Sequence, residues 1–180
     1  MSNLNYIKKV CGFYVSSVHL ITMILPYIKK QIEEEKNIET FFEYNLENNI
    51  NNILQKIIIS SEEKEKILKI NWNRNKIKKY SEIEKYLKEN IENKKSIDLL
   101  ISGNKKYISN INNMLEKYFL KNENKLNNKN ISIINCFEVE EFDDNVREIL
   151  ETHEYILNTS GMHKIEDVFE DLRSKQEKAN

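Results

Sequence analysis

Six short apolar runs, most of them followed by a helical stripe of apolar residues, constrain this chain more than any other feature. The runs are Val10–Val15, Ile38–Tyr44, Ile67–Trp72, Ile97–Ser102, Ile131–Val139 and Tyr155–Leu157. Each has the length and composition of a strand, buried or half-buried. After the first, Val18, Ile21, Leu25, Ile28 and Ile32 recur at spacings of 3, 4, 3 and 4, the stripe of an amphipathic helix. Leu46, Ile50, Ile53, Leu54 and Ile57 mark a second helix, and Ser60-Ser61-Glu62-Glu63 reads as the N-terminus of a third. Further stripes are Ile83/Leu87/Ile91, Ile108/Ile111/Leu115/Tyr118, Val146/Ile149/Leu150/His153 and Ile165/Val168/Leu172. Strands alternating with helices form βα units with right-handed crossovers. The expected fold class is therefore α/β: three layers, with a mainly parallel sheet between flanking helices.

Two segments are exceptions to a smooth pattern. Pro26 falls inside the first helical stripe, where a proline removes a hydrogen bond and costs about 3 kcal/mol, so a kink or break is expected there. Lys121–Asn130 holds a single apolar residue, Leu126, and reads as a flexible loop. With 180 residues, the chain is expected to form one domain over residues 1–172 and a polar tail over 173–180.

Charge and composition weigh against several classes of function. Lys and Arg total 28 against 29 Asp and Glu, a net charge of -1 spread along the chain, which supplies no general field for nucleic acid. The longest apolar stretch, Val10–Ile28, is interrupted by Ser16, Ser17, His19, Thr22 and Pro26, so no membrane span is expected. Met1–Lys9 is polar rather than leader-like, and Cys11 and Cys136 lie far apart, so the expected compartment is the cytosol with both thiols reduced. The pairs Asn48-Asn49, Asn51-Asn52, Asn112-Asn113 and Asn127-Asn128 fit a general Asn, Lys and Ile enrichment and are not read as a binding segment.

Three pieces of the sequence resemble a known family, the MEDS (methanogen/methylotroph, DcmR sensory) domain, a relative of RecA/KaiC-like ATPases that lacks the phosphate loop. They are Val10-Cys11-Gly12-Phe13-Tyr14, similar to an opening strand ending in an aromatic; Leu25-Pro26-Tyr27-Ile28, like a Pro-aromatic step in the first helix; and Ile133-Ile134-Asn135-Cys136-Phe137 with Phe142 and Ile149–Leu157. The resemblance spans Tyr6 to Phe169. It departs from the family at Lys9, where a His is usual, and at Gly103-Asn104, where Gly-Glu is usual, so no ligand or metal role is carried over to those positions. It implies a RecA/KaiC-like fold without Walker A and a sensory domain that signals through a separate kinase or transcription regulator.

The residues themselves hold no complete catalytic motif. The turn Val15-Ser16-Ser17-Val18-His19 has neither the glycines nor the lysine that a phosphate loop needs, and its serines suit a helix N-cap. His19, His153 and His163 with the two cysteines match no metal spacing, so neither metal nor cofactor is expected. His153 reads either as a titratable ligand-binding group or as a core or helix-capping residue. Cys136 reads as a small buried hydrophobe, and Trp72 either as a pocket wall or as core. Glu138, Glu140, Glu141, Asp143 and Asp144 suit a solvated helix N-terminus.

Open parallel sheets bind ligands beyond the carboxyl ends of their strands. That edge would comprise Tyr14–Ser17, Tyr44, Trp72-Asn73, Ser102–Asn104, Phe137-Glu138 and Asn158. From it Tyr14, Ser16, Trp72, Gly103, Asn104 and Glu138, and from the third matching piece of the resemblance Cys136 and His153, are the expected ligand-binding residues. The expected function is a non-enzymatic sensory or regulatory domain that binds a small molecule and acts on a signalling protein. The alternatives are a ligand-independent module that docks on a kinase, anti-sigma factor or transcription factor, and a residual enzyme. Neither nucleic acid nor membrane is expected as a partner.

Overall fold

In a computed structural model that describes residues 6–91, 93–139 and 144–169, one six-stranded sheet organises the chain. The elements in chain order are β1 (Ile7–Tyr14), α1 (Ser17–Glu33), β2 (Asn37–Phe42), α2 (Glu47–Leu54), α3 (Ser61–Leu68), α4 (Tyr80–Ile91) and β3 (Ser96–Gly103). There follow α5 (Lys105–Lys121), α6 (Glu123–Leu126), β4 (Asn130–Glu138), α7 (Asp144–Glu151), β5 (Tyr155–Asn158), β6 (Gly161–Lys164) and α8 (Ile165–Val168). The strand order is β2-β3-β4-β1-β5-β6, parallel throughout except for the antiparallel pair β5–β6.

The central strands are apolar on both faces because both faces are covered, as parallel sheets require. Alternation sorts them into two cores. Cys11, Leu99, Ile101, Ile131, Ile133 and Phe137 meet α4, α5 and α7 on one side. Val10, Tyr14, Leu100, Ile134 and Cys136 meet α1, α2 and α3 on the other. The chain leaves β1 toward one edge through α1 and leaves β4 toward the opposite edge through α7, so the neighbours β1 and β4 form the point where the winding reverses. The three-layer α/β class expected from the alternating pattern is the fold observed.

Four local expectations are corrected. Helix α1 runs through Pro26 without a break. Pro26 and Thr22, whose carbonyl loses its donor, both face solvent, and the opposite face buries Leu20, Ile21, Met23, Ile24, Leu25 and Ile28. The run Ile67–Trp72 is not a strand: Ile67 and Leu68 belong to α3, and the chain from there to α4 is irregular apart from an isolated bridge between Phe42 and Arg74. Its alternation reflects burial of Ile67 and Trp72 against the α1 side of the sheet, with the Trp72 indole N–H donating to the Ile67 carbonyl at 2.8 Å. Lys121–Asn130 contains the short helix α6 rather than a loop throughout, and its single apolar residue, Leu126, is buried. Strand β6, unforeseen, returns from β5 through a tight turn in which Asn158 Oδ1 accepts from the Ser160 N–H at 2.8 Å and Gly161 takes φ 122°. Phe142, Leu172, Glu140, Glu141, Asp143 and the tail 173–180 lie outside the described residues.

Candidate functional site

The expected strand-end residues fall on both faces of the sheet. Tyr14 and Ser102 meet on the α1 side, where the Ser102 hydroxyl donates to the Tyr14 oxygen at 3.1 Å. Burial raises the Tyr14 phenol pKa above its ordinary range. Ser16 N-caps α1, accepting from the His19 N–H at 3.2 Å, as the turn sequence predicts. Trp72 is buried and stacks on Phe42 at 5.7 Å. Gly103 lies against Glu43, whose carboxylate accepts from the Asn104 backbone N–H at 2.8 Å and from its side-chain amide at 2.9 Å. A β-carbon at Gly103 would lie 2.5 Å from a Glu43 carboxylate oxygen, so glycine is required for that contact. Glu138 and Tyr44 are exposed, Asn73 donates to Glu47 at 3.3 Å, and Asn158 forms the β5–β6 turn. Cys136 is fully buried under α1, and His153 stands on the opposite face. The two residues are therefore separated by the sheet, since Cys136 points opposite to its neighbours Asn135 and Phe137.

A cavity lies on the His153 side, between α5 and α7 above β1 and β4. Its volume is about 450 Å³, within the range of about 300–1,000 Å³ that ligand sites occupy. Ile108, Ile133, Phe137 and Ile149 give it apolar walls, and Lys9, Asn112, Asn135 and His153 give it a polar side. Two features of the sequence place these groups. Lys9 is paired with Ile133 across β1 and β4, and the same alternation aims Asn135 toward α5. Helix α5 buries Asn112 beside Ile111 and Leu115, where a continuous apolar stripe would have closed the gap.

Asn112, Asn135 and His153 form a directed chain of hydrogen bonds. His153 Nδ1 sits 2.7 Å from the Ile149 carbonyl, an acceptor only, so Nδ1 carries the proton. His153 Nε2 is then an acceptor, and the Asn135 amide donates to it at 3.1 Å. Asn135 Oδ1 in turn accepts from the Asn112 amide at 3.2 Å. Asn112 is 8% exposed and Asn135 2% exposed, so these are interior bonds. The chain ends at Asn112 Oδ1, buried and without a donor among the described residues. An unpaired acceptor of this kind costs about 1–3 kcal/mol unless something supplies a hydrogen.

The same contacts hold His153 neutral. Burial lowers its pKa, the Ile149 carbonyl opposes that shift, and Lys9 adds to it. Both ring nitrogens are engaged, so His153 has no lone pair left for general-base work. The ring also meets Phe137 edge-on at 6.0 Å and 89°. At the mouth, Lys105 on α5 and Glu148 on α7 pair at 2.7 Å across the opening. His153 thus caps the end of α7, which is one of the two readings of its sequence position, and it also lines the cavity.

Sequence reasoning missed Asn112 and Asn135. Asn135 carried a signal, as the lone polar residue in Ile133–Phe137, but Asn112 was hidden by the general abundance of asparagine. Among the described residues no three His, Cys, Asp or Glu side chains gather as metal ligands, and no helix is long and apolar enough to cross a membrane. No protein-family model matches the chain, and no curated protein matches its sequence.

Proposed function

We propose that this protein is a non-enzymatic sensory domain of MEDS type that binds a small molecule in the α5/α7 cavity and acts on a separate signalling protein in the cytosol. The observation that carries this reading is the directed chain from His153 to Asn112, which ends in a buried acceptor without a donor beside a ligand-sized cavity. A bound hydroxyl or N–H would complete the chain. Binding rather than turnover is favoured because the histidine is held neutral with both nitrogens occupied, and both thiols are buried away from attack.

The test is a melting-temperature screen of metabolite fractions from the host. It uses the wild-type protein and Ser109→Trp, which fills the cavity from the exposed face of α5. At least one fraction should stabilise the wild type and leave the filled variant unchanged. Stabilisation of neither, or of both equally, would refute binding at this cavity. A second reading, docking on a partner without ligand, is favoured by the exposed apolar side chains Val15, Val18 and Tyr44 around the strand ends. Retention of a kinase or transcription regulator on immobilised protein, lost in Val18→Asp and indifferent to the active fraction, would support that reading instead.

A further inference from the structure

We infer that the cavity selects a small monoanionic amphiphile: one carboxylate-like group, an apolar body, and a hydroxyl or N–H. This deepens the proposed small-molecule site and rests on it. The sign of the charge comes from the lining. Lys105 and Glu148 neutralise one another at 2.7 Å, His153 is neutral, and the remaining charge is Lys9. Lys9 is partly buried and makes no ion pair among the described residues. A cation held beside apolar walls attracts an anion more strongly than one in open water.

The single uncompensated charge favours a monoanion over a phosphate dianion, and Glu148 is already committed to Lys105, which disfavours an amine. The hydroxyl or N–H requirement comes from Asn112 Oδ1, the open end of the chain. Reversing the chain to present an amide N–H instead would require a donor on His153 Nε2, and its one proton is held at Nδ1 by the Ile149 carbonyl. The apolar body follows from Ile108, Ile133, Phe137 and Ile149.

Four probes that share one isobutyl tail separate these demands: α-hydroxyisocaproate, isocaproate, α-hydroxyisocaproamide and isoamylamine. Each is titrated into the ¹⁵N-labelled full-length protein while the amides of α5, α7 and Asn135 are followed by NMR. α-Hydroxyisocaproate should bind best, with isocaproate about tenfold weaker for the lost hydrogen bond. The neutral amide and the amine should be weaker by about tenfold or more. Lys9→Met should abolish the preference for the acid over the amide, and Asn112→Ala the preference for the hydroxyl. Unchanged resonances of α1–α3 show that each variant is folded. If the amide or amine moves the cavity resonances as strongly as the acid, or if the acid preference survives Lys9→Met, the ligand class is wrong and the site stands. If none of the four moves the cavity resonances, the site reading fails together with the class.

Discussion

Truncating Asn135 to alanine tests the hydrogen-bond chain directly. The side chain is 2% exposed and joins two groups, taking a hydrogen from Asn112 at 3.2 Å and giving one to His153 at 3.1 Å. Its loss leaves a donor on Asn112 and an acceptor on His153 unpaired, each costing about 1–3 kcal/mol when buried. Water admitted to the space the side chain vacates can pair with both groups, which places the sum toward the low end, about 3 kcal/mol. For a domain of this size, that lowers Tm by roughly 6–12 °C. Asn112→Ala is the informative companion. It strands the Asn135 oxygen but also removes an acceptor that had no donor, so two terms of similar size oppose, and the net change should stay within about 1 kcal/mol. Urea unfolding with unchanged m-values measures both. A loss below about 1 kcal/mol for Asn135→Ala, or an equal loss for the two variants, would refute the directed chain.

Acidification should destabilise the protein through His153. Its folded pKa is lowered by burial, so the unfolded chain binds the proton more readily, and the stability present above about pH 6.5 is lost as pH falls toward the folded value. Urea melts compared across that window should show a slope of at most about 1.4 kcal/mol per pH unit, reduced in His153→Gln; an unchanged slope in the variant would exclude His153 as the source. Burial pushes the Cys11 thiol up to about 12 and the Cys136 thiol higher still. Neither should react with iodoacetamide at neutral pH until the protein unfolds, and mass spectrometry of the native protein would reveal otherwise. Gly103→Ala should cost about 2 kcal/mol in thermal or urea melts, because its β-carbon displaces the Glu43 carboxylate from Asn104. A neutral outcome would show that Glu43 moves aside freely.

The sequence by itself determined the layer architecture. Apolar runs such as Ile97–Ser102 and Ile131–Val139 can be buried on both faces only in a parallel sheet covered by helices, and the stripes of α1, α4 and α5 supply that cover. It also placed local devices whose partners lie within a few residues, such as the Ser16 N-cap and the Ser60/Glu63 capping box. Where local pattern and tertiary burial diverged, pattern misled. Ile67 and Trp72 alternate like a strand because a helix end and a turn each bury one side chain, and Leu126 alone anchors a segment whose composition reads as loop. The candidate site belonged to the tertiary structure. Lys9, Asn112, Asn135 and His153 come from two strands, a helix and a loop, and nothing in their spacing relates them. Strand alternation put Cys136 on one face of the sheet and Asn135 on the other, and the crossover of α7 over β1 brought His153 to Asn135. A hydrogen-bond chain depends on distances across elements, and those are decided only when the helices pack.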